Sequence, residues 1–201
     1  MQRLKASLIA RLGALPLLVA ALLAGCASTP NGAGASSRSP ELTGSLDVAW
    51  PLSPGDLPAP LALQQQLVIE RSGQKRTFDA MLEVDAESLR LAVFAAGQVA
   101  LTLRWKDGAL EQQRADWLPP QLDGARVLQD LQFALWPLEA LQRAAPRGWQ
   151  VIEHGAGREF TFAGRPVVVI QQRDAGRFTL ERRDEGYRLD VQSVVVEEPK
   201  P

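Results

Sequence analysis

QLVIERSGQKRTFDAMLEVD, residues 66–85, decides the fold. Leu67 and Ile69 before Ser72-Gly73-Gln74-Lys75, and Phe78, Ala80, Leu82 and Val84 after it, recur at every second position. Successive side chains of a strand point to opposite faces, so this spacing describes two strands that each carry one apolar face. The Ser-Gly pair between them is turn chemistry, and the segment reads as a β-hairpin.

The same pattern continues toward the C-terminus. In SLRLAVF (88–94) and VALTLRW (99–105), Leu89, Leu91, Val93, Val99, Leu101, Leu103 and Trp105 alternate with polar or small residues. Lys106-Asp107-Gly108 then turns the chain into ALEQQRA (109–115), using the Asp-Gly pair that favours a tight hairpin. Five strands in a row make a meander. Beyond a different segment at 118–149, strands resume with WQVIEH, REFTFAG, PVVVIQQ, RFTLERR and GYRLDVQSVVVE, spaced by short Gly-containing turns. About ten strands at even spacing predict a mainly β (α+β) fold: a strongly curved antiparallel sheet, or open half-barrel.

The intervening run, LPPQLDGARVLQDLQFALWPLEALQRAAPRGW (118–149), is the convincing helical segment. Asp123 can accept backbone N–H bonds as the cap of a helix from Gly124 to about Trp136. Pro137 ends that helix or opens a second, which Pro146-Arg147-Gly148 stops. Leu128, Leu131, Leu135 and Leu138 form one stripe while Phe133 and Trp136 project elsewhere, so the apolar surface exceeds one contact face. The insertion is expected to act as a plug or as a lid over a ligand cavity. The concave face is expected to carry Leu91, Val93, Leu101, Leu103, Phe160, Phe162, Val169, Phe178 and Leu189, with Leu131 and Leu135 above it. Phe94, before Ala95-Ala96-Gly97, is expected either to touch a membrane from the loop after the third strand, with Ala96 and Gly97, or to fold back over the barrel end.

The N-terminus has its own logic. Residues 1–25 hold Arg3, Lys5 and Arg11 and no acid, followed by an apolar stretch broken once by Pro16: a basic and a short apolar region of a secretory signal. Leu23-Ala24-Gly25-Cys26 resembles the lipobox of bacterial lipoproteins, which implies cleavage before Cys26 and its acylation. Cys26 is the sole cysteine, so an acylated Cys26 leaves no thiol for a disulfide, a nucleophile or a metal. Two or more acyl chains anchor firmly, since each buried methylene contributes about 0.8 kcal/mol. Ala27 stands where an Asp resembles an inner-membrane retention signal, which implies the periplasmic face of the outer membrane. ASTPNGAGASSRSP (27–40) has the composition of a flexible tether about 20 Å in span. The division is thus a signal peptide (1–25), an acylated Cys and tether (26–44) and one domain (45–198).

Without the signal, which takes three of 22 basic residues and none of 23 acidic ones, the net charge falls from −1 to −4. No basic footprint for nucleic acid is left. Signs of catalysis are thin. Ser72-Gly73-Gln74-Lys75 has the S-x-x-K spacing of penicillin-recognising enzymes but lies in a hairpin turn and lacks S-D-N and K-T-G companions. Gly155-Ala156-Gly157 lacks the third glycine of a dinucleotide loop, and a strand follows it. His154 is the sole histidine, which removes His-rich zinc sites, and no G-x-S-x-G elbow is present. Glu83, Asp85 and Glu87 read as the wet edge of a strand and a turn, although carboxylate chemistry needs no more than such groups.

The run 118–149, with VFAAGQVALTLRW (93–105) and GYRLDV (186–191), resembles a family of uncharacterised bacterial lipoproteins often encoded beside aryl-polyene pigment biosynthesis genes. The likeness spans Gln65 to Val196. The family's architecture resembles that of LolA and LolB, half-barrels lined by apolar side chains with helices as a lid. Two features depart from the LolB pattern: residues 44–60, where a helix would stand, hold four prolines, and Phe94-Ala95-Ala96-Gly97 lacks the loop leucine. The expectation is a monomeric, outer-membrane-anchored lipoprotein, not an enzyme, that binds or hands over a lipid, a lipoprotein acyl chain or a polyene-type lipid. No cofactor and no metal site is expected. The alternatives are an accessory lipoprotein whose barrel is filled by its own side chains, and a carboxylate-dependent hydrolase.

Overall fold

The computed structural model describes residue 50 and residues 52–119 and 122–196. Cys26 and the segments expected to be a signal peptide and a tether lie outside the described residues. After a short 3-10 turn, Pro54–Asp56, come β1 (Leu61–Arg71), β2 (Gln74–Val84), β3 (Ser88–Ala95), β4 (Gln98–Lys106) and β5 (Ala109–Arg114). Two helices follow, α1 (Gly124–Leu135) and α2 (Leu138–Ala144), then β6 (Trp149–His154), β7 (Gly157–Phe162), β8 (Arg165–Asp174), β9 (Arg177–Arg182) and β10 (Tyr187–Val195).

All ten strands form one antiparallel sheet in the order β5-β4-β3-β2-β1-β10-β9-β8-β7-β6. Two five-stranded meanders are therefore joined at the middle by the first and last strands, with Leu67 opposite Val191 and Ile69 opposite Leu189. The sheet is open: β5 and β6 are its two edges, and the helices cross the concave side between them. Four hairpins close on two residues with positive φ, at Ser72-Gly73, Ala96-Gly97, Asp107-Gly108 and Ala163-Gly164. Such turns match the right-handed twist of the flanking strands. Register shifts at Val93/Phe94, Phe160/Thr161 and Gln172/Asp174 add the local bends that curve a sheet.

Helix α1 starts where the sequence places it. The Asp123 carboxylate accepts from the Arg126 backbone N–H at 2.9 Å. The Gly124 N–H donates to Gln112 Oε1 at 2.7 Å, which ties the helix to the edge strand β5. A Cβ on Gly124 would stand 2.5 Å from Leu103 and 2.8 Å from Gln112 Oε1, so glycine permits this close docking. Arg114 donates to the carbonyls of Leu118 and Pro119, holding the loop before the helix along the same edge. Pro137 does both things open to it, ending α1 and capping α2. Covering the edge in this way removes a template for unwanted strand pairing.

Most of the helix interior differs from the leucine stripe. Leu128, Gln132 and Phe133 are fully buried, as is Trp136 just after the helix, whereas Leu131, Leu135 and Leu138 are half-buried. Phe133 and Trp136, which lie off the stripe, face the densest packing.

Candidate functional site

The concave face divides into a filled part and an open part. Toward β6 and β7, Trp50, Phe133, Trp149 and Phe160 interlock. Phe133 stacks on Phe160 at 4.0 Å between ring centres, and Trp50 meets Phe133 edge-on at 4.9 Å. Toward β1–β4 and β9–β10, aliphatic side chains leave an apolar cavity of about 80 Å³. Its floor includes Leu67, Ile69, Phe78 and Val191, and its roof comes from Leu118 and Leu122 of the loop and Val127 and Leu131 of α1. A second, more open space of about 340 Å³, bordered by Arg71 and Arg76, shares Ile69, Phe78, Leu122 and Tyr187 with the cavity lining.

One polar cluster is built into the cavity wall. Arg182 of β9 is almost fully buried, donates to Asp130 of α1 at 2.8 Å and to Gln129 Oε1 at 2.8 Å, and lies 5.5 Å from the centre of the Phe133 ring. The Tyr187 hydroxyl donates to the other Asp130 oxygen. Arg126, one turn earlier on α1, pairs with Glu185 and donates to Gln129 at 2.6 Å. Burial pushes the Asp130 carboxyl above the usual carboxylate range, against the pull of the Arg182 guanidinium and the Tyr187 hydroxyl. Burial, and then the Asp130 carboxylate, push the Tyr187 phenol far up. Together these groups latch the helical roof to the last two strands.

Of the predicted concave positions, Leu91, Val93, Leu101, Leu131, Phe178 and Leu189 line the cavity. Leu103 is buried beneath Gly124, Leu135 packs at the edge of the core, and Phe160 belongs to the aromatic cluster. Two expectations fail. Val169 is half-buried on the opposite face, because Val168 and Ile170 turn inward, opposite Phe160 and Leu180. An unbroken PVVVI run carries no alternation that selects a face. Phe162 is 48% exposed and packs on Trp149 at the end of the sheet.

The loop residues are placed as follows. Phe94 shares the convex side with Ala92, opposite Asp79 and Val99, so it does not fold back over the barrel interior. A bulge there leaves Val99 exposed and turns Ala100 inward. Ala96 and Gly97 are exposed at the turn tip. Ser72 likewise occupies a turn tip, Gly155 and Ala156 form the β6–β7 turn, and His154 is exposed at a strand end. Asp85 accepts from the backbone N–H groups of Glu87 and Ser88, a turn role.

Sequence reasoning passed over Asp130, Arg182, Tyr187 and Gln65. The signal for three of them was period two itself: Phe178, Leu180 and Arg182 share a face, as do Tyr187, Leu189 and Val191, and Gln65 shares one with Leu67.

The geometry defines an open antiparallel half-barrel roofed by two helices. The chain belongs to a family described as proteins of unknown function (DUF3261), whose model matches residues 62–195. Comparison with curated proteins finds no match. Two solved structures are similar at 21% identity: the complex of Pseudomonas aeruginosa MucA/MucB, with TM-score 0.35, and a crystal structure of MucB in complex with MucA(peri), with TM-score 0.32. The first aligns over 74% of this chain and 56% of that chain, the second over 73% and 53%. This chain thus spans little more than half the length of either.

Proposed function

We propose that the protein is a lipoprotein, acylated at Cys26 and anchored at the periplasmic face of the outer membrane, whose half-barrel binds a lipid or acyl chain without catalysing a reaction on it. The observation that carries the reading is the apolar cavity under a latched helical roof, walled by Leu67, Ile69, Val93, Leu101 and Leu131. Its polar lining groups, Gln65, Arg126, Asp130 and Tyr187, each bond to a neighbouring side chain. At about 80 Å³ the cavity is far below the roughly 300 to 1,000 Å³ of pockets that hold drug-sized ligands, so loading requires Leu118, Leu122 and α1 to swing outward. A polyene or lipoprotein cargo would fit the same apolar chemistry.

Native mass spectrometry of the purified full-length protein tests it. The wild type should carry a non-covalent lipid mass, and Leu131→Trp, which fills the cavity from the roof, should lose that mass while keeping its melting temperature. Wild type that is lipid-free, and stays so after incubation with lipid, sinks the reading. The small closed volume favours one second reading, a barrel filled by its own side chains with partners outside, which that result would support.

The anchor is tested separately. An alkyne fatty acid fed to cells should label wild type and miss Cys26→Ser. The loop Phe94-Ala95-Ala96-Gly97 is the proposed membrane-touching tip. Phe94→Glu in the Cys26→Ser protein should reduce liposome binding with an unchanged melt, whereas equal binding removes the loop from the proposal.

A further inference from the structure

We propose that the ligand is a single-chain amphiphile with an anionic head, a phosphate or carboxylate, which Arg71 and Arg76 hold at the cavity mouth. The inference rests on the lipid-binding reading and adds the chemistry of the head.

Register places the two arginines. Arg71 lies opposite Gln74 and Arg76 opposite Ile69, so Arg71 and Arg76 are diagonal neighbours on one face, about 7 to 8 Å apart along the strands. That face is the concave one, since Ile69 and Phe78 continue it inward to the cavity. Two like charges on one face of a strand pair repel, whereas an opposite-charge neighbour stabilises. On the convex face of the same hairpin, such a neighbour is present: Lys75 pairs with Glu70 at 3.4 Å. Among the described residues, neither Arg71 nor Arg76 forms an ion pair, and both are exposed.

The other basic groups near the mouth are already paired. Arg182 is held by Asp130 and Asp184, and Arg126 by Glu185. The uncompensated charge is therefore concentrated where the apolar cavity meets water. A guanidinium fork suits phosphate or carboxylate oxygens, and two forks set diagonally can grip one anion from both sides. An acyl chain reaching past Ile69 and Phe78 would leave its head between them.

The test is a competition read by native mass spectrometry on the purified full-length protein. Equal amounts of oleoyl lysophosphatidate and monooleoylglycerol, which share a chain and differ in head charge, are offered together. Wild type should carry the anionic lipid in about tenfold excess, the factor expected for one charge-assisted contact of modest strength. Arg71→Ala/Arg76→Ala should bring the ratio near one with neutral-lipid uptake unchanged, and Arg71→Glu/Arg76→Glu should invert it. A wild-type ratio near one, or a preference that survives the double substitution, overturns the anionic head and leaves the lipid-binding reading standing. Uptake of neither lipid overturns both. Inorganic phosphate distinguishes the source of the anion: retention of lysophosphatidate in its excess supports an amphiphile, and displacement by phosphate alone overturns it in favour of a free-anion site.

Discussion

The β6–β7 flank and the β1–β4 flank face the same helix, yet one is packed with rings and the other retains a cavity. On the first, Trp50, Phe133, Trp149 and Phe160 meet in stacked and edge-on contacts. On the second, Leu67, Ile69, Val93 and Leu101 leave open space beneath Val127 and Leu131 of α1. Helix α1 belongs to both, with Phe133 in the aromatic cluster and Val127 and Leu131 over the cavity. The lesson is that one sheet can hold a rigid anchor and a yielding wall, with the division drawn by side-chain size. An interior built of rings tolerates no vacancy, since its density approaches that of an organic crystal.

The sharpest test of this division is truncation in the filled flank. Phe160→Ala should destabilise the domain by about 3 to 5 kcal/mol, measured by denaturant unfolding, because stacked rings cannot collapse into the hole. A loss under about 1 kcal/mol would erase the distinction. The latch comes next. Asp130→Ala strands a buried guanidinium and should cost about 3 kcal/mol, the low end for a broken buried pair because the cavity lets water approach. Asp130→Leu/Arg182→Met should recover much of that loss, while unrecovered stability would mean the pair does more than satisfy itself. In the open flank, Leu131→Ala removes a half-buried chain beside existing space and should cost about 1 to 2 kcal/mol, with faster lipid exchange.

The smallest effect lies outside both flanks. The Glu87 and Ser88 backbone N–H groups hold the Asp85 carboxyl below its ordinary value of 3.8. Its stabilisation is complete above that ordinary value and is lost as pH falls through the lower folded one. Asp85→Asn should therefore flatten the acid limb of a stability–pH profile by lowering stability slightly near neutrality, while the acid end stays little changed. An unaltered acid limb would show that this turn does not report on folding.

Strand periodicity made most of the architecture legible: ten strands, the turns between them and the Asp123 cap all lie where the residue pattern places them. Two kinds of information were hidden. Where every residue is apolar, as in PVVVI, alternation vanishes and only the cross-strand register assigns Val168 inward and Val169 outward. Where a bulge intervenes, the phase slips, as at Val99. The site was less legible because its polar members look like ordinary surface residues. Arg182 sits in RFTLERR beside two other charges, and only its phase with Phe178 and Leu180 marks it as inward. Asp130 lies in an amphipathic helix and its partner Arg182 stands 52 residues further along the chain, so the pairing is a matter of tertiary contact.

The seam between β1 and β10 has a consequence for how the chain is made. Each meander consists of neighbouring hairpins and can begin to form as soon as its residues are available, but the central pairing joins residues such as Leu67 and Val191. Long-range closure of this kind is slow compared with hairpin formation, and it is the one strand pairing that joins the two meanders. A chain still lacking its last strand would expose β1 and β9 as bare sheet edges in the middle of the fold, where a second such chain could pair. The final strand thus works as a fastener. Its late arrival makes synthesis through β10 a precondition for a single sheet, and its loss would convert the middle of the fold into an aggregation surface.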